Sequence, residues 1–392
     1  MYYFEFPKID ATIYEGSVTS SINTGLDQIL EINKNMNSAG TTIDVSRVLI
    51  QFDYSYISSS VQSGIIPSDA KYYLNLYDAS STELAVEQTL FAYMISGSWN
   101  GGTGTKDRDP TISDGASWKY RDNDTTKTQW VSGSDTQGGT WYTSSLNSGF
   151  NVSASVDLVY ETKDIRMDVT SLVKNHIYSG STFPNYGFIL KRENVPTSQS
   201  LHSIFDPTLA TGSAEHDTSH QGNLKFFSRE TNTIFPPKLE VEWDDSSWNT
   251  GSLSALSATD LDRLKVYFQN LKPEYKEKSK VKFRVVGREL YPTRGFDTTP
   301  AALTVKYLPS GSRTLQQGAY YSVKDAETED VIIPFSTGSI ISCDSTSNYF
   351  NLWMDGFQPE RFYRFEIKVV SGSGAEQTSM IYDDEFTFKV VR

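Results

Sequence analysis

Apolar and polar positions alternate with a period of two through much of this chain, in short runs separated by Ser, Thr, Asn, Asp and Gly. That is the pattern of half-buried β-strands joined by turns. Tyr2-Tyr3-Phe4 alternates into Phe6 and breaks at Pro7, and Ala11 to Tyr14, Ile29 to Ile32, Ala70 to Tyr77 and Leu84 to Tyr93 follow as strands. Arg47 to Phe52 is denser in β-branched and large apolar residues, as a central strand is. Further on, Asp168 or Thr170 can cap a short helix through Val173 and Ile177 that ends at Gly180. Asn185 to Leu190, Phe226-Phe227-Ser228 and Lys238 to Trp243 then resume the strand pattern around a polar, irregular stretch at 194–222.

Asp244 to Thr259 has the composition of a linker. The expected organisation is a first domain at 1–246, a linker at 247–260 and a second domain at 261–392. The second begins with Leu264 to Leu271 and Lys280 to Val286, and continues through six further strand runs. A pair such as 264–270 and 280–286 can be mistaken for one amphipathic helix, but Pro273 and the strict period of two predict strands. Short strands at this density predict an immunoglobulin- or fibronectin-like sandwich.

One stretch keeps neither period. Gly97 to Trp141 holds four of the seven tryptophans, Trp99, Trp118, Trp130 and Trp141, among glycines, aspartates, serines and threonines. Loops of such length are usually functional or linkers, and a linker would not carry four large indoles that gain by leaving water. The excursion is therefore folded onto something. Three readings stay open: the indoles tack the loop to its own sandwich, bury against a neighbouring protein, or stack on sugar faces. The candidate contact surface is Trp99, Asp107, Asp109, Trp118, Tyr120, Trp130 and Trp141.

Composition narrows the partners. The chain has 392 residues, 13% aromatic, with a formal net charge of −13. An acidic balance of this size gives no favourable non-specific term for nucleic acid or an anionic membrane. The single cysteine, Cys343, excludes an intrachain disulfide and reads as a small core residue. The first residues lack the basic and apolar regions of a signal peptide, and no apolar run reaches membrane-spanning length.

Several pieces of the first half resemble, in order, the DNRLRE-type β-sandwich domains, a group that includes carbohydrate-binding modules. They are Asp10-Ala11-Thr12-Ile13 followed by Asn23-Thr24-Gly25, then Arg47 to Asp53, Lys71 to Tyr77, Asp168 to Val173, Asn185 to Leu190, and Phe226 to Glu230 with Pro236 to Trp243. Trp99, Trp118 and Trp130 match the family's tryptophan loops in kind. The second half, through Asn270 to Tyr275 and Gly287 to Arg294, is similar to accessory β-domains of tailed-bacteriophage virion proteins. The resemblance implies an all-β chain, a jelly-roll-like sandwich followed by a smaller immunoglobulin-like one. It implies a virion protein made in a host cytoplasm without an export signal.

Candidate chemistry is sparse. No P-loop, nucleophile elbow or zinc-protease motif occurs, and no cofactor is expected. Glu215-His216-Asp217 with His220 is spaced like metal ligands but lies in a polar loop, and reads as solvated. Asp107, Asp109, Asp114, Asp122 and Asp124 would suit calcium, yet aspartate also forms turns through its own side chain, which is the favoured reading. Arg288, Arg294 and Arg361 read either as interface anchors or as ordinary surface arginines. The expected function is a non-enzymatic structural component of a tailed phage particle, at the neck or collar, tail or capsid surface, contacting other virion proteins and its own copies. The alternative is a carbohydrate-binding module that adheres to cell-surface glycans.

Overall fold

Strand Ile43–Phe52 shows why its sequence is so apolar: Val48, Ile50 and Phe52 are buried on one face, and Val45, Arg47 and Leu49 on the other. This computed structural model describes residues 1–16, 18–36, 43–82, 88–107, 113–124, 126–130, 138–142, 149–158, 164–193, 221–256, 261–291, 305–311, 315, 317–372 and 377–392. Contacts divide the chain into two compact units, one of Glu5–Glu240 and one of Met1–Phe4 with Val241–Arg392. Both are all-β, with two α-helices among the described residues.

In the first unit, Ile43–Phe52 lies at the middle of a sheet ordered Gly222–Phe227, Ile29–Met36, Ile43–Phe52, Phe188–Glu193, Gln88–Met94, Ser153–Leu158. Pro7–Tyr14 also pairs along Ile43–Phe52, antiparallel, with Ala11 opposite Leu49 and Ile13 opposite Arg47. A second sheet orders Lys238–Glu242, Lys71–Leu76 and Ile165–Asp168. Glu240 is buried there and accepts from Asn75 at 2.9 Å and Arg166 at 2.7 Å, so its charge is matched rather than stranded.

The expected helix forms at Thr170–Tyr178, burying Leu172, Val173 and His176. Asp168 starts it by accepting the Thr170 N–H at 2.9 Å, one residue ahead of the cap position. His176 packs near the Tyr54 and Phe188 rings and contacts the Phe183 carbonyl at 3.0 Å; burial lowers its pKa to about 4, so it is neutral. A second helix, Ser55–Gln62, follows the central strand, and Asp53 accepts the Ser55 N–H at its start.

The second unit has two sheets. One orders Ser254–Ala255, Lys306–Tyr307, Lys280–Glu289, Asn348–Trp353 and Ser342–Cys343, with Leu264–Gln269 pairing antiparallel along Lys280–Glu289. The other orders Glu274–Lys276, Thr378–Val391, Phe362–Ser371, Gly318–Asp325 and Val331–Ile333. Pairing of 264–269 with 280–289 agrees with the period of two and with Pro273 between them. Between the sheets Phe365 sits 4.8 Å from Phe283 and 4.6 Å from Phe388, and Tyr321 stacks on Phe350 at 4.0 Å. Aromatic pairs of this kind add to the gain from area alone. Cys343 is buried at the edge of the first of these sheets, and burial pushes its thiol up to about 11, which leaves it inert.

Candidate functional site

The excursion packs on the face of the first sheet that carries Ala11, Ile13, Val45, Leu49, Tyr93 and Ile189, in one cluster with all four of its indoles. None of the four is more than 8% exposed. Stacking on a sugar or on another protein needs an accessible ring face, which these rings lack; they are the loop's attachment to its own sheet. Trp99 donates Nε1–H to the Tyr186 carbonyl and Trp130 to the Ser117 carbonyl, each at 2.8 Å. Trp99→Phe keeps an aromatic ring but removes that bond and part of the buried indole, and is expected to cost at least about 1–2 kcal/mol in urea unfolding.

Between the indoles lies a buried cation. The Arg47 guanidinium is 4.6 Å from the Trp118 ring and 5.3 Å from Trp141, and it donates to the Gly138 carbonyl at 2.6 Å. Lys191, also fully buried, stands 5.0 Å over Trp141. Ring faces and a carbonyl supply the negative potential that a cation needs once water is gone.

Asn23 fixes the other end of the excursion. It is fully buried, and its amide donates to the carbonyls of Gly101 at 2.6 Å and Ala116 at 3.0 Å. Its oxygen accepts from the N–H of Gly104 at 2.8 Å and of Gly25 at 3.2 Å. The loop comes so close that a Cβ on Gly102 (φ +77°) or Gly115 (φ +64°) would collide with this amide. Beside it Thr24 accepts from Thr12 N–H at 2.9 Å and donates to the Thr12 carbonyl at 2.6 Å. Thr24→Val removes both bonds at constant shape and is expected to lower stability by roughly 1–3 kcal/mol, read as a shift of the urea midpoint with unchanged slope.

Where the excursion crosses the strand Ile29–Met36, a cleft of about 330 Å³ opens. Alternation separates the fully buried Leu30 and Ile32 from Glu31, which opens to the cleft. Opposite Glu31 in register is Lys225, whose Nζ lies 3.2 Å from Oε1. Lys106, from the excursion, reaches Oε2 at 2.6 Å, and the Tyr14 hydroxyl donates to the same oxygen at 2.7 Å. Burial works against the Glu31 charge, but Lys106, Tyr14 and Lys225 together hold its pKa below the ordinary range. Burial, and after it the Glu31 charge, pushes the Tyr14 hydroxyl well up. At the rim both Asp27 oxygens accept the Lys106 N–H at 3.1 Å. Burial, with Asp107 and Glu31 nearby, outweighs that bond and raises Asp27 to about 6. Leu26, 44% exposed, supplies an apolar surface at the mouth.

Of the sequence candidates, Asp107 lines this cleft. Tyr120 is half-buried in the short strand Tyr120–Asp122, with the Lys127 ammonium 5.6 Å from its ring. Asp109, Arg294 and the Glu215–His220 cluster lie outside the described residues. Asp114 accepts from Thr103 N–H at 3.1 Å and its hydroxyl at 2.6 Å, a tie between two parts of the excursion eleven residues apart, while Asp122 accepts the Asp124 N–H at 3.1 Å, which is turn chemistry. Among the described residues no three His, Cys, Asp or Glu side chains are placed to hold a metal ion. Arg361 grips the buried Asp325 through Nε and Nη2, each at 2.8 Å, so it is an internal tie. Arg288 donates to the Glu289 carbonyl at 3.1 Å.

No family model matches the sequence, and no curated protein matches it. Asp10 accepts the N–H of Arg229 at 2.8 Å, Asn185 donates to the Phe52 carbonyl at 2.8 Å, and Asn23 and Thr24 hold the excursion as described. Each is a tie between strands and loops.

Proposed function

We propose that this chain is a structural component of a tailed phage particle that works by protein–protein contact. The observation that carries the reading is the fixing of the excursion: its four indoles are buried against its own sheet and Asn23 ties its backbone, so its polar residues are presented from an anchored loop. A preordered surface loses little entropy when a partner docks, and repetition in a symmetric particle multiplies each contact. The net charge of −13 and the all-β construction of both units agree with a protein displayed on a particle. Its partners would be other virion proteins and further copies of itself. The test is peptide mass spectrometry of purified particles together with a cryo-EM map. Stoichiometric presence with density for both units is the expected result, and absence from particles would sink the proposal.

A further inference from the structure

The five-stranded sheet of the second unit ends in two short strands, Glu274–Lys276 at one edge and Val331–Ile333 at the other. Among the described residues neither has a strand on its outer side. The Pro273 carbonyl and the Glu277 N–H both bond into Thr378–Val391, so alternation turns the peptide groups of Glu274 and Lys276 outward. Open edge groups are a template for another strand, and short length, charge and proline restrict what can use it. Both edges carry those restraints, with Pro273 before one strand and Pro334 after the other. Charge then decides the partner.

The two edges differ in sign. Residues 272–282 hold five lysines and two glutamates, and Lys276 and Lys278 are exposed. Residues 325–330 hold four carboxylates and no cation. Arg361 grips Asp325 at 2.8 Å but stays 3.9 Å from Glu327, which is 72% exposed, and Arg364 pairs with Glu329. Glu327 and the exposed Asp330 remain as an acidic excess. Direction agrees with charge. Glu274–Lys276 runs parallel to Thr378–Val391, and every other step across the sheet is antiparallel, so the two edge strands run opposite ways. A copy added in the same sense therefore sets Val331–Ile333 antiparallel to its neighbour's Glu274–Lys276. That brings residues 327–330, just before one strand, beside Lys276 and Lys278 at the end of the other. On the core side, Ile332 and Tyr275 are each only partly buried against the sandwich, and the same step would cover both.

We propose that the second unit docks a second copy of this chain edge to edge, the acidic edge of one against the basic edge of the next. Such a contact is heterologous and repeats into a ring or an open row. It places the self-contact of the particle reading on the second unit, and it is a property of the purified chain.

The test is sedimentation velocity on the full chain across a range of concentrations. Association beyond a dimer is expected, weakened about tenfold or more between about 0.05 and 0.5 M salt. Glu327→Lys with Asp330→Lys should sediment as a monomer, and so should Lys276→Glu with Lys278→Glu. All four side chains are exposed, so each variant should keep its native near-UV circular dichroism. Mixing the two variants restores opposite charge at the junction and should restore association. A native chain that stays monomeric at every concentration overturns the proposal. So does association that survives either pair of substitutions, and so does a mixture of the two folded variants that stays monomeric. No particle is needed, so these outcomes are separate from whether particles contain the chain.

Discussion

Replacing Asn23 with alanine is expected to cost the first unit about 4 kcal/mol and to release the excursion from its sheet. The side chain is fully buried and makes four hydrogen bonds to backbone, with Gly25, Gly101, Gly104 and Ala116. Alanine strands those groups, each costing roughly 1–3 kcal/mol when left dry, and water entering the space recovers part of the sum. Urea unfolding followed by tryptophan emission reads this directly, since four of the seven indoles belong to the excursion. The variant should show a lower midpoint and, before unfolding, emission shifted to the red. Asn23→Asp keeps acceptors and loses both donors, so it should be no better. A loss below about 1 kcal/mol with native emission would mean that the indoles alone hold the loop.

Much of the strand pattern was legible because alternation and turn residues act locally. Strands at 264–269 and 280–289, and the helix at Thr170–Tyr178 with Asp168 at its start, follow from the sequence pattern. The helix Ser55–Gln62 was not: four of its eight residues are serines, and its apolar residues are too few to show a helical stripe. Arg47 misleads. Its parity, with Val45 and Leu49, places it on a face that in a two-layer reading is solvent. In fact the excursion covers that face, so Arg47 is fully buried between indoles. Local pattern carries no signal for a loop that returns over a sheet. Nor does it bring together the cleft, whose charged residues come from Asp27 and Glu31, Lys106 and Asp107, and Lys225, three distant parts of the chain.

Asp10→Asn is expected to change the pH dependence of the same unit by several kcal/mol. Asp10 is 2% exposed, and one oxygen accepts the Arg229 N–H at 2.8 Å. Burial raises its pKa to about 7; the hydrogen bond and charge of Arg229 oppose the shift, and Glu230 adds to it. Between the unfolded value near 4 and about 7, the native state therefore binds a proton that the unfolded chain has lost. Stability falls with rising pH across that window, by about 4 kcal/mol in all for a shift of about three units. Asn carries no charge, keeps an acceptor for Arg229 and removes the slope. Relative to the native protein, the variant should gain about 3–4 kcal/mol of stability between pH 4.5 and 8. His176 titrates in an overlapping window with the opposite sign: its lowered pKa costs stability as pH falls from about 6.5 toward 4. The native curve alone is therefore flattened, and the difference between the two proteins is the quantity to measure. Urea unfolding at both pH values gives it. An equal difference at pH 4.5 and 8 would show that Asp10 stays ionised in the fold, and that the Arg229 bond outweighs burial.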